Sequence, residues 1–285
     1  MPSNKQFYDA VRPLFGGRLS QHQVDGMKRI VEYGEEWGYD PDDIAYILST
    51  VKHETGDWMQ PIREGAHRFG PNYTDASAKR AVASIHAKGI ISTNYALPSG
   101  PYGQSYYGRG LVQITWHANY EKFSRILGVP LDKNPDLALE WDHALDIVFI
   151  GMRDGVFTGK KLADFDFPAQ FKQARVIVNG DGHKKWGGNE RIDDRLARYA
   201  RTFAAALRAS QEGVSPEPAK DTQEVVKPAQ PPAIRPAEPV PAPAPVASAE
   251  PACTGPKIGA DAPEPVKSEP KSTAIERGWE WLWPF

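Results

Sequence analysis

Cysteine is almost missing from these 285 residues: the chain has one, Cys253. A single cysteine excludes a disulfide framework and a cysteine-built metal site, and it fits a protein made in a reducing cytoplasm. An excess of positive charge is missing as well. Residues 1–213 carry 27 Lys and Arg against 26 Asp and Glu, and residues 214–285 carry 7 against 10. Neither part has the lopsided basic signature of a nucleic-acid binder. No apolar run approaches the roughly 18 residues that a membrane span needs. The opening MPSNKQFYDAVRPLFGGR lacks the uninterrupted apolar core of a secretory signal. Aromatic residues are absent from 214–278, whereas 16 of the 26 prolines lie beyond residue 213. That stretch has too little apolar surface to offset the entropy of ordering it. Residues 214–272 are therefore expected to be a disordered Pro/Ala-rich linker, residues 273–285 an aromatic C-terminal segment, and residues 1–213 the folded domain. About 210 residues are ample for a sizeable core.

The folded part reads as mainly α-helical. Residues 21–37 put Val24, Met27, Ile30, Val31, Gly34 and Trp37 on one helical stripe. Asp40-Pro41 is a start signal, with Asp40 able to cap, Pro41 suited to the first turn and Asp43 near the positive end. The face Ile44, Ile47, Leu48 and Val51 follows and brings His53 and Glu54 to the end of that helix. Asn134-Pro135 repeats the start signal for a long buried helix through Met152, and a last helix is expected over about 190–207. Residues 65–116 differ, being rich in Gly, Pro, Ser and Tyr, with Leu111–Thr115 the longest extended patch. Long irregular segments inside a compact body commonly carry function.

Glu54 stands at a helix end before Thr55-Gly56, where a carboxyl group can leave the surface and enter a cleft. Beside His53 and near Trp58 its pKa can rise, as a general acid requires. Its alternative is a solvated helix-end glutamate. Cleavage of a glycosidic bond needs a second carboxylate. Between residues 55 and 120 the acidic residues are Asp57, Glu64 and Asp75. Asp57 is close to Glu54 in sequence and Asp75 reads as a turn residue, so Glu64, past a turn around Pro61, is the candidate base. Its alternative is an ion pair with Arg63, Arg68 or Arg109. In YYGRGLVQIT, Tyr106–Thr115, the glycines allow close backbone approach, and Gln113 and Thr115 are expected on one strand face. Such neutral hydrogen-bonding groups suit sugar hydroxyls and a positioned water. A phosphate loop is excluded because no GxxxxGK[ST] is present, and HETGD is not HExxH, so no metal and no organic cofactor is expected. Tyr106, Tyr107, Trp116 and Trp186 could stack on sugar faces or fill the core.

HETG at 53–56, YYGRGLVQIT at 106–115 with Asn119-Tyr120, NPDLAL at 134–139 and VNG at 178–180 together resemble glycoside hydrolase family 19, which contains plant-type chitinases and many bacteriophage endolysins. The resemblance covers most of residues 20–205. It implies a lysozyme-like, two-lobed helical domain with a small irregular β region. It further implies Glu54 as general acid, Gln113, Thr115 and Asn119 as substrate and water contacts, and Asn179 and Arg195 as distal cleft residues. Glu64 and Thr115 are the other catalytic candidates, and His53, beside Glu54, and Tyr107 are added as candidate substrate contacts. Plant members place their second glutamate roughly two dozen residues after the first and carry disulfides. The ten-residue spacing here and the lack of disulfides are similar to the endolysin branch, which implies peptidoglycan glycan strands as substrate. Chitin is the alternative substrate, and a virion structural or wall-binding protein without turnover is the alternative class. The implied setting is the host cytoplasm before lysis and the bacterial wall thereafter. The terminal WEWLWPF sets Trp279, Trp281 and Trp283 on one face when extended, a stripe able to meet the body, a protein partner or the envelope.

Overall fold

The computed structural model describes residues 5–66, 73–185 and 189–212, with side chains to residue 210. The expected linker and aromatic segment, Cys253, His67, Arg68 and Trp186 lie outside the described residues. Within them the fold is mainly α-helical: α1 (Lys5–Val11), α2 (Gln21–Glu36), α3 (Pro41–Glu54), α4 (Asp75–Ala87), α5 (His117–Leu127), α6 (Trp141–Arg153) and α7 (Ile192–Glu212). Two short strands, β1 (Ile62–Arg63) and β2 (Arg109–Gly110), pair antiparallel with Ile62 opposite Gly110 and Arg63 opposite Arg109.

Local signals account for the starts of α2 and α3. Ser20 caps α2 through a reciprocal pair with Gln23, and the Asp40 carboxylate accepts from the backbone N–H of Asp42 at 3.0 Å. Caps of this kind contribute about 1 kcal/mol each. α3 is the axis of the larger core, with every residue from Ile44 to Lys52 buried, and α7 packs along it. Each fully buried Ile, Leu or Val there stabilises the fold by roughly 1.5–3 kcal/mol. A second, smaller core gathers Ala78, Val82 and Ile85 of α4 with Ile91, Tyr95, Ala96 and Tyr107. One large and one small core give the two-part helical body expected.

The segment after α3 is clamped by α2. Gly26 lies so close to this turn that a Cβ there would sit 1.8 Å from the Met59 carbonyl oxygen, so only glycine fits. The Gln23 amide donates to the Asp57 carbonyl at 2.9 Å, and the turn passes through positive φ at Asp57 and Met59. The residue that ends α3 is thereby followed by a fixed reversal into β1.

Three expectations are corrected. Leu111–Thr115 is a tight turn, not a strand. Gly110 takes φ 91, Gln113 takes φ 54, and Arg109 exchanges backbone hydrogen bonds with Ile114. The Gln113 amide donates to the Ile62 and Gly110 carbonyls, both at 2.8 Å, replacing the ladder bonds a strand would make. Asn134-Pro135 opens only a 3-10 turn, Pro135–Leu139, after which an extended Glu140 precedes α6. Asp136 of that turn is engaged by two arginines, described below. Asp75 begins α4 rather than forming a turn, because Thr74 caps the helix by accepting from Ser77 N–H at 3.2 Å.

Candidate active site

Glu54 is the last residue of α3 and is 8% exposed. Its carboxylate accepts from Arg175 Nη1 at 2.6 Å. Arg175, itself buried, comes from the 3-10 turn Gln173–Ile177 and turns its other edge to Asp181, with Nε to Oδ1 at 2.7 Å and Nη2 to Oδ2 at 3.1 Å. One guanidinium thus holds two carboxylates. Burial raises the pKa of Glu54, and the Arg175 charge opposes that rise without cancelling it. Asp181 is also pushed up by burial, but its two-pronged contact with Arg175 outweighs this and holds it low. His53 is pushed down to about 3 by burial and by the nearby Arg175 charge, so the imidazole beside Glu54 is neutral. A neutral His53 adds no positive charge that would pull the proton off Glu54.

Glu64 follows directly on β1 and is 2% exposed. Its backbone N–H donates to the Gly108 carbonyl at 2.7 Å, extending the β1–β2 pairing by one residue. Among the described residues its carboxylate accepts from neutral donors. Gly108 N–H donates to Oε2 at 2.8 Å, and the Tyr95 hydroxyl makes a short hydrogen bond to Oε1. Burial pushes the Glu64 carboxyl up to about 7, against the pull of these two bonds and of the Arg109 charge.

The ion pairs weighed for Glu64 are not formed with either described arginine. Arg63 Nη2 and Arg109 Nε instead converge on Asp136, at 2.5 and 2.7 Å. Arg109 Nη1 also donates to the Ser105 and Tyr107 carbonyls, and its guanidinium lies 3.6 Å from the Tyr107 ring centroid. Tyr107 is accordingly a correction. It is 0% exposed, its ring covered by Arg109 and its hydroxyl bound to Asp75 at 2.7 Å, so it cannot contact a glycan.

The remaining expected contacts divide into two groups. Gln113, Thr115 and Asn119 form a relay: Gln113 fixes Ile62, Thr115 Oγ1 donates to the Gln113 carbonyl at 3.2 Å, and Asn119 Nδ2 donates to the Thr115 carbonyl at 2.8 Å. Gln113 spends its amide on backbone, whereas the Thr115 hydroxyl keeps its acceptor lone pairs. Asn179 belongs with Arg175 instead. Its backbone N–H donates to the Arg175 carbonyl at 3.1 Å, and its buried Oδ1 has no hydrogen-bond partner among the described residues. Arg195, half-buried on α7, donates to Glu190 at 3.1 Å. A half-open groove of about 210 Å³ runs beside the chain that joins the two glutamates, with Trp58, Ile62, Arg63, Tyr73 and Leu139 in its walls. Neither glutamate lines that groove. Among the described residues no cluster of His, Cys, Asp and Glu could hold a metal ion, and no helix is long and apolar enough to cross a membrane.

Sequence reasoning missed Arg175, Asp181, Tyr95 and Asp136. Arg175 did leave a trace, as a lone charge in the apolar stretch ARVIV ahead of Asn179.

The family model described as Chitinase class I, of glycoside hydrolase family 19, matches residues 36–147, which include Glu54, Glu64 and the Gln113–Asn119 relay. Arg175, Asp181 and Asn179 lie outside the match. The chain is 46% identical over 99 residues to endochitinase CH25 of Brassica napus, covering 33% of this chain and 27% of that protein. It is 30% identical over 131 residues to inactive chitinase-like protein 1 of Hevea brasiliensis, covering 45% and 39%. The chain therefore spans well under half the length of these relatives. A solved chitinase C from Streptomyces griseus HUT6037 aligns over 72% of this chain and 78% of its own, with a TM-score of 0.40 and 18% identity.

Proposed function

We propose that this chain is a glycoside hydrolase of family 19 that cleaves β-1,4 bonds between amino sugars. The observation that carries this reading is a pair of buried carboxyl groups with raised pKa. Glu54 extends from the large core and Glu64 is gripped from the small one, so the two parts of the body contribute one each. The mechanism is a single displacement with inversion. Glu54 protonates the leaving glycosidic oxygen as the bond to the anomeric carbon breaks. Glu64 takes a proton from a water that attacks the same carbon from the opposite face. The Thr115 hydroxyl, with free acceptor capacity, helps to hold that water. Arg175 keeps Glu54 directed and shares its charge with Asp181, so the acid retains a raised pKa despite a cation at 2.6 Å.

Peptidoglycan is the proposed polymer and a phage or prophage lysin the proposed setting. The ten-residue spacing of the two glutamates and the lack of disulfides support this. Chitin is the second reading, favoured by the names of the relatives above, and the name of the Hevea protein keeps a glycan-binding role without turnover in play. Purified peptidoglycan and chitin oligomers, digested in parallel and analysed for new reducing ends by mass spectrometry, decide among the three. Sugar ends from peptidoglycan support the first reading, from chitin alone the second, and from neither polymer the third. Cleaved peptide bonds would remove the glycosidase reading altogether.

A further inference from the structure

Glu64 is enclosed by groups from several elements. Tyr95 Oη and the Gly108 N–H touch its oxygens, while Arg109 of β2, Tyr73 ahead of α4 and Tyr120 of α5 stand close enough to feel its charge. Of these, Tyr95 is the one side chain that directly bonds the carboxylate. Its placement is built rather than incidental. Tyr95 N–H donates to the Thr93 carbonyl at 3.1 Å, and Asn94 Oδ1 accepts from Ala96 N–H at 3.2 Å, which folds the chain tightly on both sides. The ring is buried in the small core and packs against Trp116 at 5.2 Å between centroids. A phenol fixed in this way cannot follow the carboxylate, so the carboxylate must meet it.

We propose that Tyr95 is a positioning residue for the water-activating step, fixing the Glu64 carboxylate through its hydroxyl so that the remaining lone pairs face the reacting water. The inference rests on the assignment of Glu64 as base. With one donor on each oxygen, one acceptor position per oxygen stays available to a water. The same bond stabilises the ionised carboxylate in a site where burial opposes it, so Tyr95 sets the pH at which the base becomes competent.

The test is Tyr95→Phe in the full chain, which keeps the ring and removes the donor, assayed on whichever glycan the enzyme cleaves. The acid limb of the kcat–pH profile should move to higher pH, with kcat at pH 6 down at least threefold, KM unchanged and the loss shrinking as pH rises. A second variant, 3-fluorotyrosine at position 95, preserves packing while strengthening the donor and should move the limb to lower pH. A reduced melting temperature with an unmoved profile in both variants would overturn the proposal and leave Tyr95 a packing residue. Failure of the underlying assignment looks different: Glu64→Gln would then keep its activity. An inactive Glu64→Gln with unmoved profiles in the Tyr95 variants removes this inference alone.

Discussion

The two glutamates are buried to a similar degree and held by opposite means. Glu54 faces a guanidinium that it shares with Asp181, whereas Glu64, among the described residues, accepts from a phenol and a peptide N–H. In each case burial is the largest influence and drives the pKa upward. The difference lies in what opposes it. A cation fixes the direction of Glu54 while Asp181 absorbs much of its pull, which suits the proposed role of giving up a proton and taking it back. The described donors to Glu64 are neutral and the Arg109 charge acts on it without a direct bond, which suits the proposed role of drawing a proton from water. Burial alone does not distinguish an acid from a base; the donors around the carboxyl do.

The strongest way to break this contrast is to remove each carboxyl in turn. Glu54→Gln and Glu64→Gln should each lose about 10²–10⁴-fold in kcat, the usual contribution of a general acid or base. A glycoside with an activated leaving group should restore the Glu54 variant and not the Glu64 variant. Azide should restore only Glu64→Ala. The reverse pattern would exchange the two roles. Next in size is Arg175→Met, which leaves Glu54 and Asp181 buried without their cation. Stripping one member from a buried ion network costs about 3–5 kcal/mol, so chemical denaturation should show a loss of that order. The corresponding loss for Lys133→Met, at an exposed lysine that lies over the Tyr102 ring, should be negligible.

The pH dependence sharpens the contrast. As the proposed base, Glu64 acts when ionised, and burial pushes it up to about 7, so activity should climb as pH rises through 7 rather than through the ordinary carboxyl range. Stability should run the other way. Its folded pKa lies above the unfolded value of 4.5, so Glu64 favours the fold while protonated and that contribution is lost as pH rises from about 4.5 through 7. Glu64→Gln can donate to Tyr95 Oη and accept from Gly108 N–H, and it carries no charge. The variant should match the wild type near pH 4.5 and exceed it at pH 8 by a melting-temperature increment corresponding to about 1–3 kcal/mol. An increment that is equal at both pH values would show that Glu64 does not titrate in this range.

A smaller effect than at Arg175 is expected at Lys52, whose buried ammonium lies between the Phe15 and Tyr199 rings at 4.4 and 4.5 Å and pairs with the exposed Asp57. Burial lowers its pKa, against the Asp57 charge. Lys52→Met keeps the aliphatic stem between the rings and should shift stability by no more than about 1 kcal/mol in urea unfolding. Glu54 chemistry should be unchanged, because the Gln23 and Gly26 contacts still fix the turn after α3.

How far the sequence reached follows the same physics. Local signals were legible: Asp40-Pro41 opens α3 as read, its apolar stripe is buried, and Glu54 closes it. Glu64 could be singled out as a candidate by elimination because few acidic residues compete between 55 and 120, and it is buried against Tyr95 and Gly108. Leu111–Thr115 misled because its strand-like composition is overruled by Gly110 at φ 91 and by a Gln113 amide that replaces backbone pairing. Tyr107 misled for a related reason, since an aromatic in a glycine-rich loop reads as a sugar platform until Arg109 is seen to cover it. Arg175 was beyond reach because the contact that gives it meaning spans 121 residues, from the 3-10 turn before Asn179 back to the end of α3. Long-range pairing of charges has no period and no motif.

The most direct test of the central claim is the anomeric configuration of the first product, followed by proton NMR in the opening minutes of digestion. Two carboxyl groups acting on opposite faces, one through a water, require the α-anomer to appear first and to mutarotate later to the equilibrium mixture. Initial release of the β-anomer would mean that the second carboxylate attacks the sugar itself, and the roles assigned to Glu64, Thr115 and Tyr95 would fall together.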